Sequence, residues 1–160
     1  MSFHTNYEKW LWLSEPRNCP VCMNAPMPPG MVDMVELPHA WLSAEPVAPL
    51  KGTCSLIARR HLVELYEFEE DELLGFMKEM QLCLKALKTV TGAIKMNFET
   101  HGNTVPHLHF RLYPRYLDDP FPGKAIDYQQ TGNWFGPGEF EAFVEEMRKE
   151  MQRSGLVSLG

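Results

Sequence analysis

The stretch Gly102-Asn103-Thr104-Val105-Pro106-His107-Leu108-His109-Phe110-Arg111-Leu112-Tyr113-Pro114-Arg115 decides how this chain is read. Polar and apolar residues alternate from His107 to Tyr113, the pattern of a strand whose successive side chains point to opposite faces. Leu108, Phe110 and Leu112 are then expected in the core, with His107, His109 and Arg111 sharing the opposite wall. Such a row suits a phosphate: imidazole attacks or moves protons near neutral pH, and guanidinium grips anionic oxygens with a planar fork. His109, central in the row and beside a fixed cation, is the first candidate for nucleophile or general base. The Gly102-Asn103-Thr104 turn can offer backbone amides and a hydroxyl to the same anion. Arg115 just beyond the run, and His61 behind the basic pair Arg59-Arg60, add to that reading.

Working outward, Ile94 to about Glu99 reads as a strand that a tight turn at His101-Gly102-Asn103 joins to the histidine strand as an antiparallel pair. Upstream, Leu73, Leu74, Met77, Met80, Leu84, Leu87 and Val90 recur at helical spacing, acidic residues open the segment at Glu70, and Gly92 fits its stop. Cys54-Ser55-Leu56-Ile57-Ala58 is expected as a buried strand, and Val32 to Leu37 and Trp41-Leu42 as sheet. Asn18 to Gly30, rich in Pro and Met, reads as an irregular loop preceding the fold proper. Tyr116 to Gly138 is loop-like, and a second amphipathic helix, 139–154, follows on Phe140, Phe143, Val144, Met147 and Met151. The fold class expected is α+β: an antiparallel meander sheet with two main helices packed on it.

At 160 residues and 44% hydrophobic content, one domain covering 1–160 is the default. A formal charge of −6 argues against broad nucleic-acid or anionic-membrane binding, so an anionic ligand must be met by local groups. The opening Met1-Ser2-Phe3-His4-Thr5-Asn6-Tyr7-Glu8-Lys9-Trp10 lacks the apolar region of a secretory signal, and no run is long enough to span a bilayer. A soluble, cytoplasmic protein is the expectation.

Four cysteines are too few for a disulfide scaffold, and Cys54 and Cys83 read as core thiols. Cys19-Pro20-Val21-Cys22 has the spacing of half a tetrahedral zinc site, although one such pair also fits redox chemistry or chance. Zinc is favoured over redox chemistry because Pro and Met follow the pair where a redox motif wants a helix start. Completing the site needs two more donors, and His61 and His107 are the best placed.

The Gly102–Arg115 stretch resembles the histidine triad (HIT) signature, in which three histidines alternate with apolar residues and Pro-Arg often follows. The resemblance also takes in Lys51-Gly52, Leu56-Ile57-Ala58-Arg59-Arg60-His61, the Glu70–Val90 helix, Asn97 and the Cys19/Cys22 pair, and so covers residues 19–115. It implies a nucleotide-binding HIT-like domain that commonly forms homodimers. It further implies hydrolysis or transfer of nucleoside phosphates through a covalent nucleotidyl-histidine, here on His109. By the same resemblance His107 orients the site and, in a zinc-bearing branch, joins Cys19, Cys22 and His61 around a structural metal. Asn97, Asn103 and Thr104 match positions that contact ribose and phosphates, and Gly102 joins them as a substrate-binding candidate through the turn read above.

Arg111 stands where the third histidine belongs. A guanidinium is always charged and has no acceptor, so it can steady a transition-state phosphate but cannot cycle a proton. The expectation is a nucleotide phosphohydrolase acting on nucleoside or dinucleoside polyphosphates, favouring leaving groups that need no proton over amines. A nucleotidyltransferase, a catalytically weakened nucleotide-binding module and a zinc-stabilised interaction domain are the rival readings.

Overall fold

The structure, a computed structural model, describes residues 6–25 and 30–155. Residues 26–29 of the Asn18–Gly30 loop, and the first five residues of the amino-terminal stretch, lie outside it. The elements are α1 (Tyr7–Leu13), β1 (Val32–Glu36), β2 (Ala40–Ala44), β3 (Val47–Ala48), β4 (Cys54–Ala58), α2 (Glu70–Thr91), β5 (Lys95–Glu99), β6 (His109–Arg115), β7 (Gly132–Asn133) and α3 (Glu139–Arg153). Helix α1 was not anticipated from the sequence: it is one short piece with no buried residue, so it has no apolar stripe to read.

Five strands form one antiparallel sheet in the order β1-β2-β4-β6-β5, and β3 pairs with β7 in a small second sheet. After β4 the chain crosses through α2 and returns at the edge as β5, so that β6 inserts between β4 and β5. The β5–β6 connection is therefore not a tight turn. It runs from Thr100 to Leu108, and this length gives the His101-Gly102-Asn103 segment room to form a wall of its own.

On one face of the sheet, Leu42, Leu56, Phe110 and Leu112 meet α2 through Phe76, Met80, Cys83 and Leu87, and α3 through Phe143, Val144, Met147 and Met151. Full burial of such side chains stabilises by roughly 1.5–3 kcal/mol each before conformational entropy is counted. Cys54 and Cys83 are buried, as expected of core thiols. Acidic residues in the first turn of α2 suit the positive end of its dipole, and Gly92 ends the helix in the left-handed conformation at φ 67°.

The apolar stripe of α2 differs from the one read in sequence. Phe76 and Cys83 face the core with Met80 and Leu87, whereas Leu74 and Met77 are 52% and 42% exposed. The helix carries two apolar rows, and periodicity alone merged them. No helix of the described residues is long and apolar enough to cross a membrane.

Candidate active site and metal centre

The opposite face of the sheet carries the polar residues of β6. Pairing places His109 beside Ile57 and Arg111 beside Ser55 on β4, and Arg111 beside Glu99 and Tyr113 beside Asn97 on β5. A pocket of about 250 Å³ opens over this face. His109, Arg111, Tyr113 and Glu99 form its floor, and the Gly102-Asn103-Thr104 loop and His101 form its wall. Gly102 turns this loop at φ +63°, and its carbonyl accepts a 2.9 Å hydrogen bond from the Trp10 indole of α1.

His109 Nδ1 lies 2.8 Å from the backbone oxygen of His107. A carbonyl can only accept, so Nδ1 carries the proton and Nε2 keeps its lone pair. Burial pushes the His109 pKa below the usual imidazole range, and the charges of Arg111 and His101 push it the same way. A neutral imidazole with one nitrogen held and the other bare is the form a nucleophile needs.

Arg111 is not free. Its guanidinium holds Glu45 at 2.5 Å and Ser55 Oγ at 3.3 Å, with both charged side chains about one-quarter exposed. Tyr113 donates its hydroxyl to Glu99 at 2.7 Å, and burial foremost, then that hydrogen bond, pushes the phenol pKa well up. The other oxygen of Glu99 lies 3.4 Å from His101 Nε2. The floor thus carries one carboxylate, Glu99, and a second, Glu45, is paired with the Arg111 guanidinium. Sequence reasoning missed both: Glu45 sits in a proline-bearing loop with no periodicity, and Glu99 reads as the end of an ordinary strand.

His107 does not share the wall with His109 and Arg111, and this corrects the alternation reading. Strand β6 begins only at His109, and the His107 side chain is buried on the other side of the bend. Its Nε2 donates to the Ala58 carbonyl at 2.7 Å, leaving Nδ1 toward Cys19 Sγ at 3.4 Å and Cys22 Sγ at 3.6 Å. His61 repeats the arrangement: Nε2 donates to Ser14 O at 2.7 Å, and Nδ1 lies 3.3 Å from both Cys22 Sγ and His107 Nδ1.

Four donor atoms, from Cys19, Cys22, His61 and His107, lie within 4.8 Å of one another. Tetrahedral zinc bonds of roughly 2.0–2.3 Å separate ligand atoms by roughly 3.3–3.8 Å, which matches these spacings. Both imidazoles also donate their far N–H to a backbone carbonyl, the outer contact that orients a metal-binding histidine. The pair of thiols and the pair of facing lone pairs therefore fit a zinc ion. Burial, and then Cys19 beside it, push the Cys22 thiol up to about 11. The Cys19–Cys22 loop accordingly does not precede the fold: Cys19 is fully buried against the base of β6.

Asn97 lies apart from the pocket. Its side-chain oxygen accepts from Arg115 Nη1 at 2.9 Å, in a cluster with Asp119. The strand register, two residues beyond Glu99, carries it away from His109. Gly102, Asn103 and Thr104 do line the pocket.

The HIT domain family model matches residues 34–117, just over half of the chain. The chain belongs to the HIT family. An uncharacterized HIT-like protein of Methanocaldococcus jannaschii is 26% identical over 87 residues, a match spanning 52% of this chain and 65% of the relative. This HIT chain thus aligns with less than two thirds of that relative's length. Among solved structures, a histidine triad protein from Bradyrhizobium japonicum superposes with a TM-score of 0.66 at 25% identity, covering 76% of this chain and 91% of the other. A zinc-bound histidine triad family protein from Mycobacterium smegmatis gives a TM-score of 0.62 at 14% identity, over 88% of this chain and 97% of that one. The antiparallel sheet with α2 and α3 on one face is thus the HIT fold.

Proposed function

We propose that the protein is a nucleotide phosphohydrolase working through a covalent nucleotidyl-histidine on His109, with nucleoside or dinucleoside polyphosphates as substrates. The observation that carries this reading is the His109 ring, whose Nδ1–H is held by the His107 carbonyl while Nε2 stays unprotonated at the pocket floor. Nε2 attacks the α-phosphorus, the leaving group departs, and water resolves the phosphoramidate, which splits one hard displacement into two. Arg111 and the Gly102-Asn103-Thr104 backbone steady the developing charge. For Arg111 to reach a phosphate it must exchange Glu45 for the substrate, so Glu45 holds the clamp in place until the anion arrives.

Cys19, Cys22, His61 and His107 would hold a structural zinc, as the zinc-bound mycobacterial neighbour supports in kind. When bound, the ion cross-links the amino-terminal segment to the base of β6 and fixes the His107 backbone on which His109 is aligned. A homodimer through β5 and the outer row of α2 is part of the same reading. Leu74, Met77, Leu84, Met96 and Phe98 line an apolar groove of about 560 Å³ beside that edge strand. Cytoplasmic residence and a small-molecule substrate without broad nucleic-acid binding complete it.

Mass spectrometry after brief incubation with a panel of nucleotides tests the chemistry. The wild type is expected to gain one nucleotidyl mass and His109→Ala none; an equal gain in both, or none in either, overturns it. A nucleotidyltransferase is the second reading, favoured by the replacement of a proton-cycling third histidine with Arg111. The adduct would then react with an added phosphate acceptor faster than with water. Nucleotide binding with no adduct and no product would leave the binding-module reading.

A further inference from the structure

Nucleotidyl transfer to His109 leaves a proton problem that the triad-like row cannot solve. The departing oxygen needs a proton unless it is weakly basic, and the attacking water must later lose one. Arg111 has no proton to cycle, and it is tied to Glu45 and Ser55. The His109 Nδ1–H is held by a carbonyl, and both nitrogens of His107 are engaged outside the pocket. Tyr113 is buried and donates to Glu99.

One imidazole in the pocket wall remains. His101 is half exposed, and its Nε2 faces Glu99 Oε2 at 3.4 Å. Its ring leans on that of Tyr128 at 6.3 Å between centroids, and it borders the same pocket as His109. Glu99 is in turn fixed by the Tyr113 hydroxyl, so a carboxylate anchored on the sheet orients a histidine carried on the loop. A carboxylate at one ring nitrogen orients a histidine for general acid–base work, and His101 borders the pocket in which the phosphate would sit.

We infer that His101, oriented by Glu99, is the general acid–base of this site and supplies the proton transfers that Arg111 cannot. The inference rests on the His109 chemistry proposed above. In the first half-reaction His109 Nε2 forms a bond to phosphorus as the bond to the leaving oxygen breaks. The electron pair stays on that oxygen, which takes a proton from protonated His101. In the second, water oxygen bonds to phosphorus, the P–N bond breaks with its pair returning to Nε2, and neutral His101 accepts the proton of the water. His101 ends protonated, ready for the next cycle. The substrate range is thereby set by His101: with it, the site handles basic alkoxide or phenoxide leaving groups, and without it only those that depart unprotonated.

The test compares the 4-nitrophenyl and phenyl esters of the ribonucleoside 5′-monophosphate that corresponds to whichever nucleotidyl group is found on His109. The two esters are nearly alike in shape, but phenolate is far the more basic leaving group. Single-turnover release of the phenol isolates the first half-reaction. His101→Ala is expected to slow release from the phenyl ester by about 10²-fold or more, and from the 4-nitrophenyl ester by less than about fivefold. Glu99→Gln, which can still accept from Tyr113, should show the same selectivity at about tenfold amplitude. Hydrolysis of the adduct, identical from either ester, should slow in His101→Ala as well. Equal slowing of both esters, or of neither, in a variant that melts like wild type overturns the role of His101 while leaving His109 labelling intact. If no nucleotide labels His109 in the wild type, the nucleotidyl-histidine reading itself falls and the inference with it.

Discussion

His107 and His109 are two residues apart, both largely removed from water, and each gives one N–H to a backbone carbonyl, yet they face different chemistry. In His107 the donating nitrogen is Nε2, which turns Nδ1 toward two thiols and a second imidazole. In His109 it is Nδ1, which turns Nε2 into the pocket. The side chains are identical, so the difference lies in which carbonyl is within reach: that of Ala58 on the neighbouring strand, or that of His107 itself. A backbone oxygen selects the tautomer, and the tautomer decides which ring nitrogen keeps its lone pair. The two arginines of β6 show the same division. Arg115 is enclosed by Asp119, Asn97 and the carbonyl of Phe121, whereas Arg111 keeps one carboxylate and one hydroxyl. The first is structural, and the second has a partner it can exchange.

The sharpest way to break the contrast is to remove each imidazole. His109→Ala is expected to lower nucleotide turnover by at least about 10³-fold while moving the melting temperature by no more than about 2 °C, read by steady-state kinetics and calorimetry. A variant that melts far lower would place His109 with His107 as a structural residue. On the other side of the bend, Cys19→Ser should remove zinc from the purified protein and lower the melting temperature by on the order of 10 °C. Metal analysis returning one zinc per chain from the variant would break the assignment of the cluster.

Glu45→Gln tests whether Arg111 is held for exchange. With its charged partner gone, Arg111 should meet the substrate phosphate at lower cost and tighten nucleotide binding by about three- to tenfold in titration calorimetry. Unchanged or weaker binding would mean that Glu45 positions Arg111 rather than competing for it. The smallest effect is expected at the enclosed arginine. Hydrogen bonding from Arg115 foremost holds the Asp119 carboxyl below the usual carboxylate range. A carboxylate with a depressed pKa stabilises the fold above its unfolded pKa and loses that contribution as pH falls through its folded value. Asp119→Asn should therefore lower the melting temperature by a few degrees, about 2–6 °C, near pH 7. The gap should close in acid below about pH 4, and a gap independent of pH would exclude the ion pair as its source.

Much of the frame is legible because local rules and tertiary packing agree there. Cys54–Ala58 is an apolar run interrupted only by Ser55 and lies at the centre of the sheet, and Gly92 stops α2 where the left-handed cap requires it. Legibility fails where two apolar rows share one helix, as at Leu74 and Met77, whose exposure periodicity cannot foresee. In the candidate site, residues on one local motif were found: His109, Arg111 and the Gly102-Asn103-Thr104 loop all border one pocket. Residues joined to it only through pairing were not. Glu45 and Glu99 come from β2's trailing loop and the sheet edge, and no spacing in the chain links either to position 111.

The sequence by itself determined that β6 is an alternating strand with His109 and Arg111 on its polar face, and which thiols and imidazoles could act together. Alternation, helical spacing and ligand chemistry are properties of the chain, readable before it folds. Only the tertiary structure decided that His107 leaves that face, that Asn97 supports Arg115, that Glu45 pairs with Arg111, and that Glu99 and His101 border one pocket. Each of those outcomes depends on strand register and on which backbone carbonyl lies within about 3 Å of a ring nitrogen, a distance fixed by packing between segments remote in sequence.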